Sequence, residues 1–574
     1  ISLSMLKSLK LLNISTSRLL HQVILPGHLK HPGSEPLTIA TLGDVIAETA
    51  HKYPGRIAVK SLHENISITY EELLTQADAL GCALRAQGLE KGDRVGLWSH
   101  NSVSWMVACV AAARAGLISV LLNPIYEKNE INYCIKKTGI KSIVIGETLA
   151  NRNYYDKLSS LVPELRTSKP GEIDSKALPS LKSVIYAGKD KLDGTFGYDD
   201  LIKKYRNRSE ITKYGAEVKP EEGCLIHLTS GTTGKPKGVL DSHVGVVNNC
   251  YFAGIRNYLH EEHHNICVQV PLFHALGSIV TAMASVRHGS TLTLAAPTYN
   301  IDANVKALLS ERCTIITGTP TMYVDLVSAL RSPPAQRLRM AMAAGAPCSP
   351  QLIREINQRL NTQSVKALYG LSEATACVFQ SLPDDSVDRV AETVGYITDH
   401  IEVKVINEAG ETVPFGQPGE VLTRGYSNMI CYWDDPEKTR ECIDEDGWVH
   451  TGDKFIINED GYGKVVGRLK DIIVKGGENI APKEIEDLLD THSDILESQV
   501  VGVPDPRLGE ELCAVVRLRA GATFTIDDVI THCTGRLSRF KIPKTLKIID
   551  EFPKTNSGKI QKFKIKELID DGKL

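Results

Sequence analysis

The 574-residue chain lacks the marks of several common protein classes. Its 13 cysteines are scattered singly with no C-x-x-C pair, so neither a zinc finger, a thioredoxin motif nor a disulfide framework is indicated. The formal net charge is only −3, which argues against a surface built mainly for nucleic acid. The longest apolar run, residues 105–122, is interrupted by Arg114 and followed by Asn123 and Pro124. This pattern indicates a buried helix leading into a strand, so no transmembrane segment is predicted.

Acidic residues are absent from the first 34 positions. The basic residues there, interspersed with leucines, serines and threonines, are Lys7, Lys10, Arg18 and Lys30. This composition is typical of a mitochondrial presequence, so we predict one over residues 1–34 and a location in the mitochondrial matrix. The alternative is a leader without a targeting role, with Met5 as the start. The final Gly572, Lys573 and Leu574 resemble a peroxisomal signal with Gly where Ser is usual, which makes the peroxisome or the cytosol the second choice.

Glycines and hydroxyl side chains are concentrated at residues 229–238, between a strand-like apolar run and a helix-like run that starts at residue 243. Glycines let backbone N–H groups approach an anion, while the hydroxyls and two lysines add donors and positive charge. Lys235 is followed by Pro236, which excludes the Walker motif. We predict a phosphate-binding loop of another type, the alternative being a solvated linker. The loop comprises Thr229, Ser230, Gly231, Thr232, Thr233, Gly234, Lys235, Pro236, Lys237 and Gly238.

The chain is too long for one hydrophobic core, and its patterns change along its length. Strands alternating with helices predict an α/β fold, with a large N-terminal domain of doubly wound sheets over residues 35–469. Within it, residues 151–220 are polar and irregular, which predicts a surface connection. Short β-like runs between Gly and Pro turns predict a small β-barrel at residues 393–466. Residues 470–574 form a smaller α+β unit, predicted to be a mobile lid.

Polar side chains follow one predicted strand near residue 369. Tyr369 suits contact with adenine, Ser372 could donate to an α-phosphate and Glu373 could hold Mg²⁺. Each alone could be structural, since an aromatic residue before Gly370 often only ends a strand. A run of small residues upstream would let a flat ring lie on the backbone: Gly345, Ala346 and Pro347. Together these residues predict a nucleotide site.

Five further residues are predicted to act at the same site. His274 ends a strand, where α/β sheets bind ligands, although a structural histidine is the bland alternative. Asp453 could accept both ribose hydroxyls, its alternative being an ordinary turn aspartate. Arg468 could bridge ribose and phosphate, and Lys470 lies in a charged run that predicts a hinge. Lys559 lies in a basic stretch that is either a solvated face or a group swung over the active site.

Residues 260–264 match the H-E-x-x-H pattern of zinc proteases. Their flanks are polar and turn-like, whereas a metalloprotease needs a buried helix and a third ligand. We therefore predict no zinc chemistry here.

These motifs resemble the adenylate-forming superfamily, which includes acyl-CoA synthetases, 4-coumarate-CoA ligases and firefly-type luciferases. The likeness extends from Leu42 onward and is nearest to medium-chain acyl-CoA synthetases at residues 271–278, 318–325, 475–480 and 540–544. It implies ATP-dependent activation of a fatty acid to an acyl-adenylate, then transfer to coenzyme A, with ATP, Mg²⁺ and coenzyme A required. It also implies that residues 229–237, Asp453, Arg468 and Lys559 contact ATP and that Lys470 is the hinge. The coenzyme A entrance would be lined by Lys475, Gly476 and Gly477.

Other functions remain open at this point. A different aryl or alkyl acid could be the substrate, or the adenylate could feed a luciferase-like oxygenase. A nucleotide-binding homologue without turnover is disfavoured, because it would have little reason to retain Glu373, Asp453, Arg468 and Lys559 together. The sequence leaves open the acid, the oligomeric state and any peripheral membrane contact.

Overall fold

The computed structural model describes residues 26–149, 153–206, 209–230, 236–346, 348–475, 478–537, 539–555 and 558–574. These residues form four β-sheets with helices packed on them. Three of the sheets belong to the part of the chain before Lys470, and the fourth belongs to the part after it. No helix in these described ranges is both long and apolar enough to cross a membrane.

The first large sheet has eight strands and is mostly parallel. In spatial order its strands are Cys431–Tyr432, Pro236–Ser242, Gly223–Ser230, Ile118–Leu121, Arg94–Trp98, Ile140–Gly146, Ser183–Ala187 and Phe196–Gly197. Only the two strands at one edge, Cys431–Tyr432 and Pro236–Ser242, run antiparallel to their neighbours. The predicted α/β class is confirmed.

The second large sheet has nine strands, six of them in one parallel block. Its order is Tyr396–Ile397, Phe379–Gln380, Val365–Tyr369, Met340–Ala344, Ile315–Gly318, Asn265–Val268, Thr291–Leu294, Ile57–Ser61 and Ile66–Thr69. The first two strands and the last are antiparallel additions. The carboxyl ends of parallel strands meet at one edge, and this brings together the residues that follow Gly318, Ala344 and Tyr369.

Helices cover the sheets, and the most buried of them is Val103–Arg114. Ten of its twelve residues are buried, and Ser102 caps it by accepting a hydrogen bond from the Trp105 N–H. A helix that is apolar on all sides is stable only when it is covered on all sides. The remaining α-helices are Leu42–Lys52, Tyr70–Ala86, Lys128–Thr138, Tyr154–Leu161, Tyr198–Tyr205, Ile211–Ala216, His243–Arg256, Ala284–His288, Ile301–Ser310, Pro320–Ala329, Pro350–Arg359, Val387–Glu392, Pro436–Cys442, Pro482–Leu489, Ile526–Cys533 and Lys562–Asp570, with a π-helix at Leu276–Met283.

A third, antiparallel sheet occupies the region predicted as a barrel. Its order is His28–Lys30, Ile401–Ile406, Gly419–Gly425, Val449–Ile457 and Gly463–Arg468, an open ladder with the first and last strands at its edges. The strand His28–Lys30 lies inside the range 1–34 that the sequence assigns to a presequence. Folded structure therefore begins before residue 34. The sequence alone could not show this, because the strand pairs with a distant part of the chain. Residues 1–25 lie outside the described residues, and a presequence there stays a prediction.

Residues 153–206 correct a second expectation. They supply the strand Ser183–Ala187 to the interior of the eight-stranded sheet. Single apolar residues just before that strand, Ile173, Leu178 and Leu181, are fully buried. The stretch is thus part of the core rather than a surface connection. The run Val184-Ile185-Tyr186-Ala187 carried a strand signal in the sequence, although the residues around it are mostly polar.

The part of the chain after Lys470 forms its own α+β unit. Its strands are Ile473–Lys475, Glu478–Ile480, Ile495–Asp505, Gly509–Leu518 and Thr545–Ile548. Ile485, Leu489, Val500, Leu512 and Val529 form its main hydrophobic core. A separate core of this kind is what allows the unit to move as a body relative to the rest.

Arg256 joins the helix His243–Arg256 to the connection between two sheets. Its guanidinium donates to the carbonyls of Gln380, Tyr396 and Ile397 at 3.1, 2.8 and 2.6 Å and lies 3.5 Å from Asp399. Arg256 is 5% exposed and Asp399 is 6% exposed. Removing the guanidinium would leave a buried carboxylate and several carbonyls with fewer partners.

We expect Arg256→Met to lower the free energy of unfolding of the N-terminal part by about 3 kcal/mol. The matched control is Arg389→Met, which breaks an exposed ion pair with Asp460 and should cost much less, because exposed ion pairs contribute little net stability. Urea unfolding followed by tryptophan fluorescence measures both. Equal losses in the two variants would contradict the role of Arg256.

Candidate active site

Several predicted site residues line one cavity of about 50 Å³. It lies at the carboxyl edge of the nine-stranded sheet, where the C-terminal unit meets it. The predicted residues on its wall are His274, Gly345, Gly370, Ser372 and Lys559. They come from distant parts of the chain, and parallel strand ends together with the C-terminal unit bring them into one place.

Asp453 is the buried carboxylate of this region, at 4% exposure. Its Oδ1 forms an ion pair with Arg468 Nε at 2.8 Å, and its Oδ2 accepts a hydrogen bond from the Tyr369 hydroxyl at 2.7 Å. Asp453 and Arg468 are direct cross-strand partners on Val449–Ile457 and Gly463–Arg468. Burial raises the pKa of Asp453, while the charge of Arg468 acts in the opposite direction.

The ring of Tyr369 is not an exposed surface on which a base could stack freely. Its ring packs against Phe455, with ring centroids 5.1 Å apart, and it is only 9% exposed. Its hydroxyl is committed to Asp453. The ring therefore offers at most one edge or face to a base, and its contact with adenine stays a prediction.

Glu373 lies on the short 3₁₀ helix Ser372–Ala374 beside the cavity. Its Oε1 accepts a hydrogen bond from the Tyr432 hydroxyl at 2.7 Å. The ammonium of Lys237 lies 4.1 Å from the centroid of the same tyrosine ring. Tyr432 thus links the predicted metal ligand to the predicted phosphate-binding segment.

Lys559 reaches the cleft from the C-terminal unit. Its backbone N–H donates to Thr555 Oγ1 at 3.0 Å, and the Thr321 hydroxyl donates to the Gly558 carbonyl at 3.2 Å. Burial and the nearby positive charge of Arg468 lower the pKa of Lys559, whereas Asp453 and Glu373 raise it.

His274 lines the same cavity as Lys559. Burial, followed by the charges of Lys559 and His227, lowers its pKa to about 3. The imidazole is therefore neutral at pH 7 and can donate a hydrogen bond to an acid without adding a charge.

The predicted phosphate-binding segment has its two ends on paired antiparallel strands, and the helix after it starts at His243, as predicted. Gly223–Ser230 pairs antiparallel with Pro236–Ser242, with Thr229 opposite Lys237, and the helix His243–Arg256 starts only after the second strand. The apolar alternation after Gly238 is too short to distinguish strand from helix in the sequence. Gly231, Thr232, Thr233, Gly234 and Lys235 lie outside the described residues, as do Pro347, Gly476, Gly477 and the side chain of Ser230.

The predicted hinge lies where the two parts of the chain meet. Lys470 is exposed in the 3₁₀ helix Leu469–Asp471, between the strand Gly463–Arg468 and the strand Ile473–Lys475. Lys475, a predicted coenzyme A contact, is 7% exposed and forms an ion pair with Glu511. In this pose its ammonium is directed to that carboxylate, and both roles stay predictions.

The buried histidine of the H-E-x-x-H match makes structural hydrogen bonds. Of the two histidines in the pattern, His264 has Nδ1 3.0 Å from Thr314 Oγ1 and Nε2 3.1 Å from the Tyr258 carbonyl, and His260 is exposed. In the described ranges, no cluster of three or more His, Cys, Asp or Glu could hold a metal alone. Mg²⁺ commonly takes one or two carboxylates together with waters and substrate phosphates, so the single carboxylate of Glu373 fits this donor set.

The sequence analysis missed Tyr432, Thr321 and a buried pair, His227 and Asp241. Asp241 carried a usable signal, because an aspartate inside an otherwise apolar strand is rarely buried without a partner. Tyr432 and Thr321 carried none, since their contacts are to residues far away in the chain.

Two family models match the chain. The model described as AMP-binding enzyme covers residues 46–433, and the model described as AMP-binding enzyme C-terminal domain covers residues 484–559. The chain therefore belongs to the AMP-binding enzymes, and the predicted membership of the adenylate-forming superfamily is confirmed.

Individual relatives extend the likeness over nearly the whole chain. The chain is 39% identical to the human protein "Medium-chain acyl-CoA ligase ACSF2, mitochondrial", over 92% of this chain and 88% of that one. It is 34% identical to "Putative acyl-CoA synthetase YngI" of Bacillus subtilis strain 168, over 92% and 97% of the two chains. Among solved structures, ATP-bound MatB from Rhodopseudomonas palustris aligns with a TM-score of 0.76 at 26% identity, over 92% of this chain and 99% of that one. The anthranilate CoA ligase AuaEII with anthranoyl-AMP shares the fold, with a TM-score of 0.80 at 22% identity over 94% and 99% of the chains.

The close contact of Gly558 with the N-terminal part can be tested by substitution. Gly558 has φ +80°, and an added Cβ would lie 2.6 Å from Thr319 Oγ1. We expect Gly558→Ala to slow acyl-adenylate formation by about tenfold or more, because both the backbone and the contact with Thr319 would be strained.

Gly521→Ala is the matched control. Gly521 has φ +79° in the same unit, and no described heavy atom lies within 4 Å of its added Cβ. The two variants therefore carry similar backbone strain, but only one obstructs seating of the unit. Acyl-adenylate formation measured by pyrophosphate release compares them, and equal rates would refute the contact.

Proposed function

We propose that this chain is an AMP-forming acid–CoA ligase that activates a medium-chain fatty acid. The carboxylate is first converted to an acyl-adenylate with release of pyrophosphate, and coenzyme A then displaces AMP to give the thioester. The observation that carries the proposal is the position of Lys559, which reaches from the C-terminal unit into the cavity lined by His274, Gly345 and Ser372.

In the first half-reaction a carboxylate oxygen attacks the α-phosphorus of ATP. The new O–P bond forms as the bond to pyrophosphate breaks, and negative charge develops between the acyl oxygen and the phosphate. The ammonium of Lys559 stabilises that charge in a partly desolvated cleft. Asp453 and Arg468 hold the ribose and the adjoining phosphate, and the hairpin that includes Thr229 and Lys237 holds the leaving pyrophosphate.

Mg²⁺ would be held by Glu373 together with phosphate oxygens. When bound, it neutralises charge on the departing pyrophosphate. The hydrogen bond from Tyr432 orients the Glu373 carboxylate for this purpose.

In the second half-reaction the thiol of coenzyme A attacks the acyl carbonyl carbon, loses its proton, and expels AMP. Lys559 is not needed for this step. Rotation of the C-terminal unit about Lys470 would withdraw it and bring the segment around Lys475 to the cleft. The chain needs no side-chain nucleophile, because both leaving groups are part of the substrates.

The acid would enter the cavity next to His274. Its wall is mostly apolar, with Val270, Leu276, Val280 and Leu368, which suits an alkyl chain. Medium chain length is supported by the printed names of the 39% and 38% identical relatives. The volume of about 50 Å³ holds only a few heavy atoms, so lining side chains must move when a longer chain binds.

We propose a mitochondrial location on two grounds. The first 34 residues have a presequence-like composition, and the relatives include proteins named as mitochondrial. A fusion of residues 1–34 to a fluorescent protein tests this directly, and a cytosolic or peroxisomal signal would overturn it.

The most informative assay is ATP–pyrophosphate exchange across saturated acids from acetate to palmitate, with coumarate included. Release of AMP on addition of coenzyme A is scored in parallel. The proposal expects exchange to peak at medium chain length and AMP release to follow it. Exchange with no coenzyme A-dependent release would refute the ligase assignment, and light emission with a luciferin would favour an oxygenase.

We expect Lys559→Ala to reduce acyl-adenylate formation about 100- to 1000-fold, because a charge-stabilising group is lost. Thioester formation from preformed acyl-adenylate should remain within a few-fold of wild type. Lys564→Ala, an exposed lysine on the helix Lys562–Asp570, is the control and should change neither rate. Equal loss of both half-reactions in Lys559→Ala would contradict the assigned role.

We expect Lys470→Pro to have the opposite pattern. Proline fixes its own φ and restricts Leu469 before it, so rotation of the C-terminal unit should slow. Thioester formation would fall about tenfold or more while adenylate formation stays near wild type. Lys470→Ala removes the side chain without stiffening the backbone and serves as the control. A comparable loss in Lys470→Ala would show that the side chain, not the backbone, matters.

A further inference from the structure

A Ser–His–Asp chain lies beneath the proposed active site. His227 Nδ1 is 2.7 Å from Asp241 Oδ2, and His227 Nε2 is 2.8 Å from Ser278 Oγ. His227 is 2% exposed, and Asp241 and Ser278 are fully buried. The three residues lie on the strands Gly223–Ser230 and Pro236–Ser242 and on the π-helix Leu276–Met283.

This series of hydrogen bonds continues beyond Ser278 at one end and beyond Asp241 at the other. Ser278 Oγ donates to the His274 carbonyl at 2.9 Å, and Thr375 Oγ1 lies 3.2 Å from Asp241 Oδ1 and 2.5 Å from the Ser427 carbonyl. A serine hydroxyl has one proton. When that proton goes to the His274 carbonyl, His227 must present Nε2–H to the serine oxygen.

These contacts join three parts of the proposed site. His227 lies two residues before Thr229 on the strand Gly223–Ser230 of the proposed phosphate-binding hairpin. Ser278 belongs to the π-helix whose Leu276 and Val280 line the acid cavity, and Thr375 follows Glu373 by two residues. A displacement of any one of these three segments would therefore displace the other two.

The π-helix explains why such a connection is needed. Helices of this type are rare, have weaker backbone hydrogen bonding than an α-helix, and occur mostly at functional sites. Side-chain bonds compensate here: Thr281 donates to the Leu276 carbonyl at 2.8 Å, and Ser278 is held by His227. Relaxation toward an α-helix would turn Leu276 and Val280 away from the cavity.

We propose that His227 and Asp241 are positioning residues that hold the acid-binding π-helix in register with the phosphate hairpin and the Glu373 segment. This inference rests on the proposed function. The arrangement resembles a nucleophilic triad, but Ser278 is fully buried and is not among the residues that line the cavity, so it does not reach an acyl group. The pair acts on the acid site through the helix, not by contact with substrate.

The double variant His227→Leu/Asp241→Leu tests the proposal. It removes the charge together with its partner, which buried pairs tolerate better than loss of one member. We expect the unfolding temperature to stay near wild type while the KM for the acid in ATP–pyrophosphate exchange rises about tenfold or more. The KM for ATP should change much less. Asp241→Asn, whose amide can donate to His227 Nδ1 and so keeps Nε2–H directed at Ser278, should restore the acid KM.

Two further variants keep the test decisive. Ser278→Ala cuts the same link by removing a single hydroxyl, and it should raise the acid KM even if the double variant fails to fold. His264→Leu removes a buried histidine with hydrogen bonds to Thr314 and the Tyr258 carbonyl, far from the cavity, and should lower stability without changing either KM.

The outcomes separate the two proposals. Normal acid KM in the folded double variant or in Ser278→Ala would overturn the positioning role while leaving the ligase intact. No exchange by the wild-type protein with any acid would overturn the proposed function and this inference together.

Discussion

The ion pair between Asp453 and Arg468 is the interaction on which the architecture of the site depends. It joins two neighbouring strands across a register position, immediately before the exposed segment Leu469–Asp471 that leads to the C-terminal unit. A carboxylate at 4% exposure is stable only when it is paired and hydrogen-bonded, and Arg468 and Tyr369 supply those partners. The same pair influences Lys559 electrostatically, so one buried charge relates the N-terminal part, the proposed hinge and the C-terminal unit.

The polar contacts between the C-terminal unit and the N-terminal part are weak enough to break. Thr321 donates one hydrogen bond to Gly558, and Arg517 forms a partly exposed ion pair with Asp325 at 3.4 Å. Exposed pairs of this kind contribute little net stability. In the proposed mechanism the C-terminal unit closes for one half-reaction and leaves for the other, and weak polar contacts would keep the two poses close in free energy.

Much of the fold was predictable because its signals are local. Alternating strands and helices indicate a parallel sheet, and parallel sheets gather residues such as His274, Gly345 and Ser372 at one edge. The strand His28–Lys30 was not predictable, because its partner among the described strands, Ile401–Ile406, is far away in the chain. For the same reason Tyr432 was missed, since its value lies in a contact with Glu373. The catalytic and binding roles of the individual residues stay predictions until the reaction is measured.

The central claim is that Lys559 lies over the nucleotide when the acid is activated and leaves afterwards. Amine-reactive labelling followed by mass spectrometry measures this directly, with the exposed Lys564 as an internal reference. We predict that Lys559 is protected in the presence of the acid and α,β-methylene ATP, and becomes reactive when coenzyme A and a non-reactive acyl-adenylate analogue are bound. Equal labelling of Lys559 in the two states would contradict the account.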